Sequence, residues 1–89
     1  METEDIRGKL LTLLTTIAPD IDPQSVDPDR ELRDQFDFDS MDTLHFAAAV
    51  SDAFHIAIAE TEYPKLARIA AAADFVRGKL TQGREGVVT

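Results

Sequence analysis

One serine and a run of carboxylates are the side chains that chemistry could use. Ser40 stands in Phe36-Asp37-Phe38-Asp39-Ser40-Met41-Asp42-Thr43-Leu44, where an acidic stretch gives way to an amphipathic one. A serine hydroxyl is activated on its own chain only by a base within hydrogen-bond reach. His45 lies about 140° round a helix from Ser40, too far displaced to serve, and His55 lies at the far end of the same helical pattern. Gly-x-Ser-x-Gly does not occur, so there is no nucleophile elbow of that type. The aspartates invite a calcium reading. Neither Asp20-x-Asp22 nor Asp27-x-Asp29-x-Glu31 is followed by the glycine and distal glutamate of an EF-hand loop. With two histidines and no cysteine, zinc is disfavoured further, and no metal site is expected. What remains is a hydroxyl at a helix start with the positive end of the helix dipole behind it. From spacing alone it is an exposed serine at a helix start, a place where a serine is ordinarily a cap.

The elements that hold this serine follow from local signals. Asp39 is a good N-cap and Asp42, three residues on, completes a pattern like a capping box. A helix should therefore run from Ser40 to about His55. Thr43, Phe46, Ala47, Val50, Ala53 and Phe54 share its inner side; Met41, Leu44, His45, Ala48, Ser51 and Asp52 share the outer one. Met41 and Leu44 are apolar on a side where solvent favours charge. They either form a small contact surface or fold under a neighbouring loop.

Upstream, Ile6, Leu10, Leu13, Leu14 and Ile17 recur at helical spacing from Met1 to about Ile17. Gly8 weakens that helix by roughly 1 kcal/mol, and Pro19 stops it by Ala18. Asp20 to Asp39 has no sustained period and carries Pro23 and Pro28. It reads as a long ordered loop pinned by Ile21, Val26, Leu32 and Phe36, with one short turn near Asp29 to Asp34. Downstream, Thr61 to Leu66 suggests a short helix that tolerates Pro64 only within its first turn. A last helix spans about Ile69 to Leu80, with Ile69, Ala72, Ala73, Val76 and Leu80 inward. Residues 81–89, with Gly83 and Gly86, read as a flexible tail. The fold class is all-α: a small four-helix bundle of three main helices plus a short third one. Residues 1–80 form the domain.

Composition bounds the function. An 89-residue chain is one domain with one modest core. Its net charge of −8 argues against nucleic acid and for partners with basic docking surfaces. Nine of the 17 acids fall between Asp20 and Asp42, against Arg30 and Arg33, so the charge gathers on the loop that feeds Ser40. No stretch approaches the ~20 apolar residues of a bilayer crossing, and no basic start precedes an apolar run. A soluble, cytoplasmic monomer is the expectation.

Asp39-Ser40-Met41-Asp42-Thr43 resembles the Asp-Ser-Leu attachment motif of the acyl carrier protein family. Further residues stand at carrier-protein offsets: Ala53-Phe54, Ile58, Glu60, Lys65-Leu66, Ile69 and Asp74-Phe75-Val76. The resemblance covers Leu32 to Val76, and the first helix fits in length and pattern. It implies that Ser40 carries 4′-phosphopantetheine, transferred from coenzyme A by a phosphopantetheinyl transferase. That accounts for the missing base, because the activating chemistry belongs to the transferase. The arm would hold acyl intermediates as thioesters, the chain itself being a non-catalytic handle. It would visit an acyl- or aminoacyl-loading ligase and downstream transferases or synthases. Asp39, Met41, Asp42, Leu44, His45 and Ala48 are then the candidate partner-binding residues.

Phe46, Val50, Phe54, Ile58, Leu66, Ile69 and Val76 read as plain core rather than an acyl pocket, although Ala47 and Ala70 to Ala73 are small enough to leave room for a chain. Two departures stand out. Asp37 occupies a place where the family commonly has glycine, and Ala59 one where proline is common. The outer side of the second helix carries only Asp52 beyond Asp42, which suggests docking that leans less on charge pairs. A dedicated carrier in a specialised fatty acid, polyketide or related pathway is expected. An aminoacyl or peptidyl carrier is the alternative, and an unmodified helical interaction module the reading from another class.

Overall fold

A computed structural model describes residues 2–88, with side chains to Thr81. Four α-helices follow in order, α1 (Thr3–Ile17), α2 (Leu32–Gln35), α3 (Ser40–Phe54) and α4 (Ile69–Val88), with 3₁₀ segments at Pro23–Ser25 and Glu60–Leu66. Among the described residues there is no strand, and the all-α, four-helix bundle expected from the sequence is what forms. α1 packs on both α3 and α4, and Glu60–Leu66 lies against the same two helices.

The apolar periods account for this packing. Ile6, Leu10 and Leu14 of α1 are fully covered, as are Phe46 and Val50 of α3 and Ala72, Ala73 and Val76 of α4. Burying each large side chain is worth roughly 1.5–3 kcal/mol, and no polar or charged side chain is buried beside them among the described residues. Thr43, read as part of the core stripe, is only half-buried. Its hydroxyl donates to the Asp39 carbonyl at 3.1 Å, a local partner that the interior would not offer.

The loop between α1 and α3 is ordered by bonds that its sequence does not advertise. The Gln35 side chain accepts from the Asp27 N–H at 2.7 Å and donates to the Asp27 and Arg30 carbonyls at 2.8 Å each. The loop then runs beside the start of α4. Leu32 N–H donates to the Ala67 carbonyl at 2.8 Å, Ala70 N–H to the Pro28 carbonyl at 2.9 Å, and Arg68 Nε to the Asp29 carbonyl at 3.1 Å. Of the expected pins, Ile21 and Leu32 are buried while Val26 and Phe36 are half-buried; Phe38 is the deeper aromatic, 7% exposed.

Three boundaries differ from the sequence reading. Pro64 is the fifth residue of its segment, past the first turn; the segment is 3₁₀ rather than α, and Pro64 leaves one backbone donor out of its ladder. Packing holds it nonetheless, since Leu66 is 1% exposed. α3 stops at Phe54 because His55 turns left-handed at φ 55°. α4 continues to Val88 instead of ending at Leu80; a glycine costs a helix about 1 kcal/mol without breaking it, so Gly83 and Gly86 weaken this stretch but do not end it. The side chains past Thr81, and with them the flexibility expected of 81–89, lie outside the described residues.

Candidate functional site

Two aspartates place Ser40 at the mouth of α3. Asp39 has extended backbone, and its Oδ1 accepts the Asp42 N–H at 2.9 Å; Asp42 Oδ2 in turn accepts the Asp39 N–H at 3.2 Å. This is the reciprocal capping box that the sequence suggests. Just upstream, Phe38 N–H donates to the Phe36 carbonyl at 2.8 Å, a γ-turn centred on Asp37. Asp37 is not at positive φ, so the turn has no need of the glycine that the family commonly places there. The turn drives the Phe38 ring inward, edge-on to Phe46 with centroids 6.2 Å apart. An anchor two residues before Ser40 therefore fixes where the helix begins.

Ser40 itself is exposed. The bonds of its turn are made by Asp39, Asp42 and Thr43, and its hydroxyl takes part in none of them. A helix leaves its first four N–H groups without intrahelical acceptors. The box occupies those of Asp39 and Asp42, which leaves Ser40 and Met41 as the donors still facing outward.

The candidate partner-binding residues lie on the first turns of α3 and at its cap. Met41 is 57% and Leu44 43% exposed, so neither is folded under a neighbouring loop. Asp39, His45 and Ala48 are exposed as well, and Asp42 is half-buried because its carboxylate is turned to the cap.

Ser40, Met41 and Leu44 also form one side of an open groove that sequence reasoning did not identify. Leu32 and Phe38, both buried, line it as well, together with Tyr63, Pro64 and Ala67 from the segment after α3 and with Arg33, Glu31 and Glu60. Arg33 is paired to Glu31 through Nε at 3.4 Å and keeps a side chain 74% exposed. Only the pairing of residues 33 and 63 across about thirty positions would have shown this groove, and no local pattern carries such a pairing. Its far wall is braced electrostatically. Glu62 accepts the Ala59 N–H at 2.8 Å and pairs with Lys79 at 3.1 Å. The backbone bond first, and then Lys79, hold the Glu62 carboxyl below its ordinary value of 4.5.

These residues fit an anionic group esterified to Ser40 Oγ. The hydroxyl is reachable and untied, and the outward N–H groups of the first turn suit a phosphate oxygen. The nearest carboxylates spend their lone pairs on backbone donors. Asp39 and Asp42 thus cap the helix while leaving its mouth open.

No curated protein matches this chain. The family described as the phosphopantetheine attachment site matches residues 9–76, a span that contains most of α1, all of α3 and every residue named around the groove. Such domains are generally carriers rather than catalysts, interacting with a phosphopantetheinyl transferase and with biosynthetic enzymes. Among the described residues no helix is long and apolar enough to cross a membrane. With three quarters of its length inside that match, the chain belongs to the phosphopantetheine attachment family, whose domain is the site of covalent 4′-phosphopantetheine.

Proposed function

We propose that this chain is an acyl carrier protein whose arm is attached through Ser40 Oγ. It carries acyl intermediates as thioesters in a specialised fatty acid, polyketide or related biosynthetic pathway and catalyses no step itself. The observation that carries this reading is the free Ser40 hydroxyl at the open mouth of α3, in a turn whose capping bonds are all made by its neighbours. In the transfer step, Ser40 Oγ attacks the β-phosphorus of coenzyme A on the transferase. The hydroxyl proton leaves to a base of that enzyme, and 3′,5′-ADP departs as the phosphodiester forms.

Residues 1–80 are the carrier domain in this reading. Asp39, Met41, Asp42, Leu44, His45 and Ala48 are the face offered to partners. Two apolar side chains beside few charges favour docking with a modest salt dependence, since screening acts on exposed charges. Co-expression with a broad-specificity transferase should add the mass of one 4′-phosphopantetheine, and Ser40→Ala should remove the gain. An unchanged wild-type mass in the presence of a competent transferase would falsify the reading and favour an unmodified interaction module, whose partner binding should survive Ser40→Ala. Loading assays with panels of acyl and aminoacyl ligases would separate an acyl carrier from an aminoacyl or peptidyl one.

A further inference from the structure

A second cavity opens where the start of α1 meets the end of α3 and the middle of α4. It shares no lining residue with the groove beside Ser40. Lys9 and Arg77 both line it, with Phe54 and Leu80 as the large apolar members. What α3 brings to it is the Phe54 ring and Ala53; the positive charge comes from α1 and α4.

Two cations on one cavity are out of keeping with the rest of this chain. With 17 acidic side chains to 9 basic ones, a lysine or arginine has carboxylates in plenty to choose from, and like charges brought together repel. Neither Lys9 nor Arg77 enters an ion pair among the described residues, where the pairs are Arg33–Glu31 and Lys79–Glu62. Each is held by a weaker contact instead. Lys9 Nζ lies over the Phe54 ring, 5.3 Å from its centroid, and Arg77 Nη1 donates to Thr3 Oγ1 at 3.0 Å. A guanidinium has five donors and an ammonium three, so most of them remain to be met. The acid in the lining is Glu2, which is exposed and makes no capping bond to α1.

We propose that this cavity binds a carboxylate carried on a short apolar stem. Arg77 receives it through Nε and Nη2, the parallel pair of donors that Thr3 leaves free. Lys9 supplies the second charge, and Phe54 and Leu80 cover the stem. Two sources offer this chemistry: a free short-chain acid, or an acidic residue beside an apolar one on a partner chain. The site does not depend on what Ser40 carries, and with no residue in common the two can be occupied together.

The test is a titration of hexanoate into the isotope-labelled full chain, followed by NMR. Acetate serves as the ion without a stem and hexanamide as the stem without a charge. Hexanoate should move the Phe54 ring, the Lys9 and Arg77 side chains and Thr81 along one saturable curve. Acetate should bind several-fold more weakly and hexanamide not at all. Arg77→Gln should weaken hexanoate at least about tenfold, the low end for a lost hydrogen bond to a charged group, and Lys9→Gln by a smaller factor. Glu2→Gln should tighten it, because a carboxylate in the lining repels the ligand. All three positions are exposed, so these variants keep the fold. Equal affinities for acetate and hexanoate reduce the cavity to an adventitious ion only and overturn the proposal. Binding unchanged in both Arg77→Gln and Lys9→Gln overturns it too, since the carboxylate is then held elsewhere. An acetylated leucine-glutamate-leucine amide separates the sources. Tighter binding than hexanoate at the same signals assigns the site to a partner chain, and weaker binding assigns it to a free acid.

Discussion

The two ends of α3 are finished by opposite means. At Ser40 the helix is closed by side chains: Asp39 and Asp42 cap each other's backbone, and the surface keeps its apolar residues uncovered. At His55 it is closed by backbone: a left-handed residue reverses the chain, and the N–H groups of His55 and Ile56 both return to the Ser51 carbonyl. The Ser51 hydroxyl completes that lock on the Ile56 carbonyl at 2.5 Å, and Lys9 lies over the Phe54 ring at 5.3 Å. A helix end sealed by backbone has little left to offer a ligand. One capped by side chains keeps outward N–H groups and room around them, and that is the end where the candidate site lies.

The hardest way to break this contrast is to remove the anchor under the open end. Phe38→Ala should cost about 3 kcal/mol, the lower range for a buried phenylalanine, because it opens space at the groove base and orphans one edge of Phe46. Urea unfolding would measure it; a loss below ~1 kcal/mol would mean that Phe38 does not carry the turn. Asp39→Ala should cost about 1 kcal/mol through the lost cap, lowering Tm by roughly 4–8 °C for a domain of this size. His55→Gly should act in the other direction at the sealed end. It relieves a left-handed strain of about 1–2 kcal/mol and gives back about 0.5–1 kcal/mol in unfolded-chain entropy, for a net gain of about 0.5 kcal/mol. If His55→Gly destabilises, the sealed end owes its closure to the imidazole and the comparison fails there.

How much of this was legible in the sequence depended on range. The capping box and the inward stripes of α1, α3 and α4 each rest on residues within a turn or two, and periodicity carries such information directly, whereas it left Met41 and Leu44 open between an exposed surface and a place under a loop. Phe38 was missed because its burial depends on a γ-turn that the acid Asp37 adopts; the alternation Phe36-Asp37-Phe38-Asp39 is its only local sign. Gln35 was invisible because a glutamine that bonds to loop backbone looks like any surface glutamine. The groove depends on residues 33, 44 and 63 meeting, which is a property of how the Glu60–Leu66 segment seats between α3 and α4. Ser51 was read as outer-face surface, and its role as a lock follows only from where Ile56 lands.

The smallest expected effect sharpens the contrast from the far wall of the groove. Glu62 ties Glu60–Leu66 to Ala59 and to Lys79, and Lys79 together with Lys65 lies over the Phe75 ring of α4. Its carboxyl titrates below the ordinary 4.5 in the folded chain, so the folded state favours the ionised form. The stabilisation is therefore complete above about pH 4.5, and it is lost as acid passes through the lower folded value. Loosening should begin at the wall carrying Tyr63 and leave the His55 end unchanged, because no carboxylate takes part in the Ser51 lock. Amide exchange at Ala59 and Ala67, followed from pH 6 to pH 3 in wild type and in Glu62→Gln, would detect it. The wild type should lose protection at these sites over that fall while the variant, already without the charge, shows a flatter response. Equal responses in the two proteins would place the acid sensitivity elsewhere and remove Glu62 from the account of how the groove is held open.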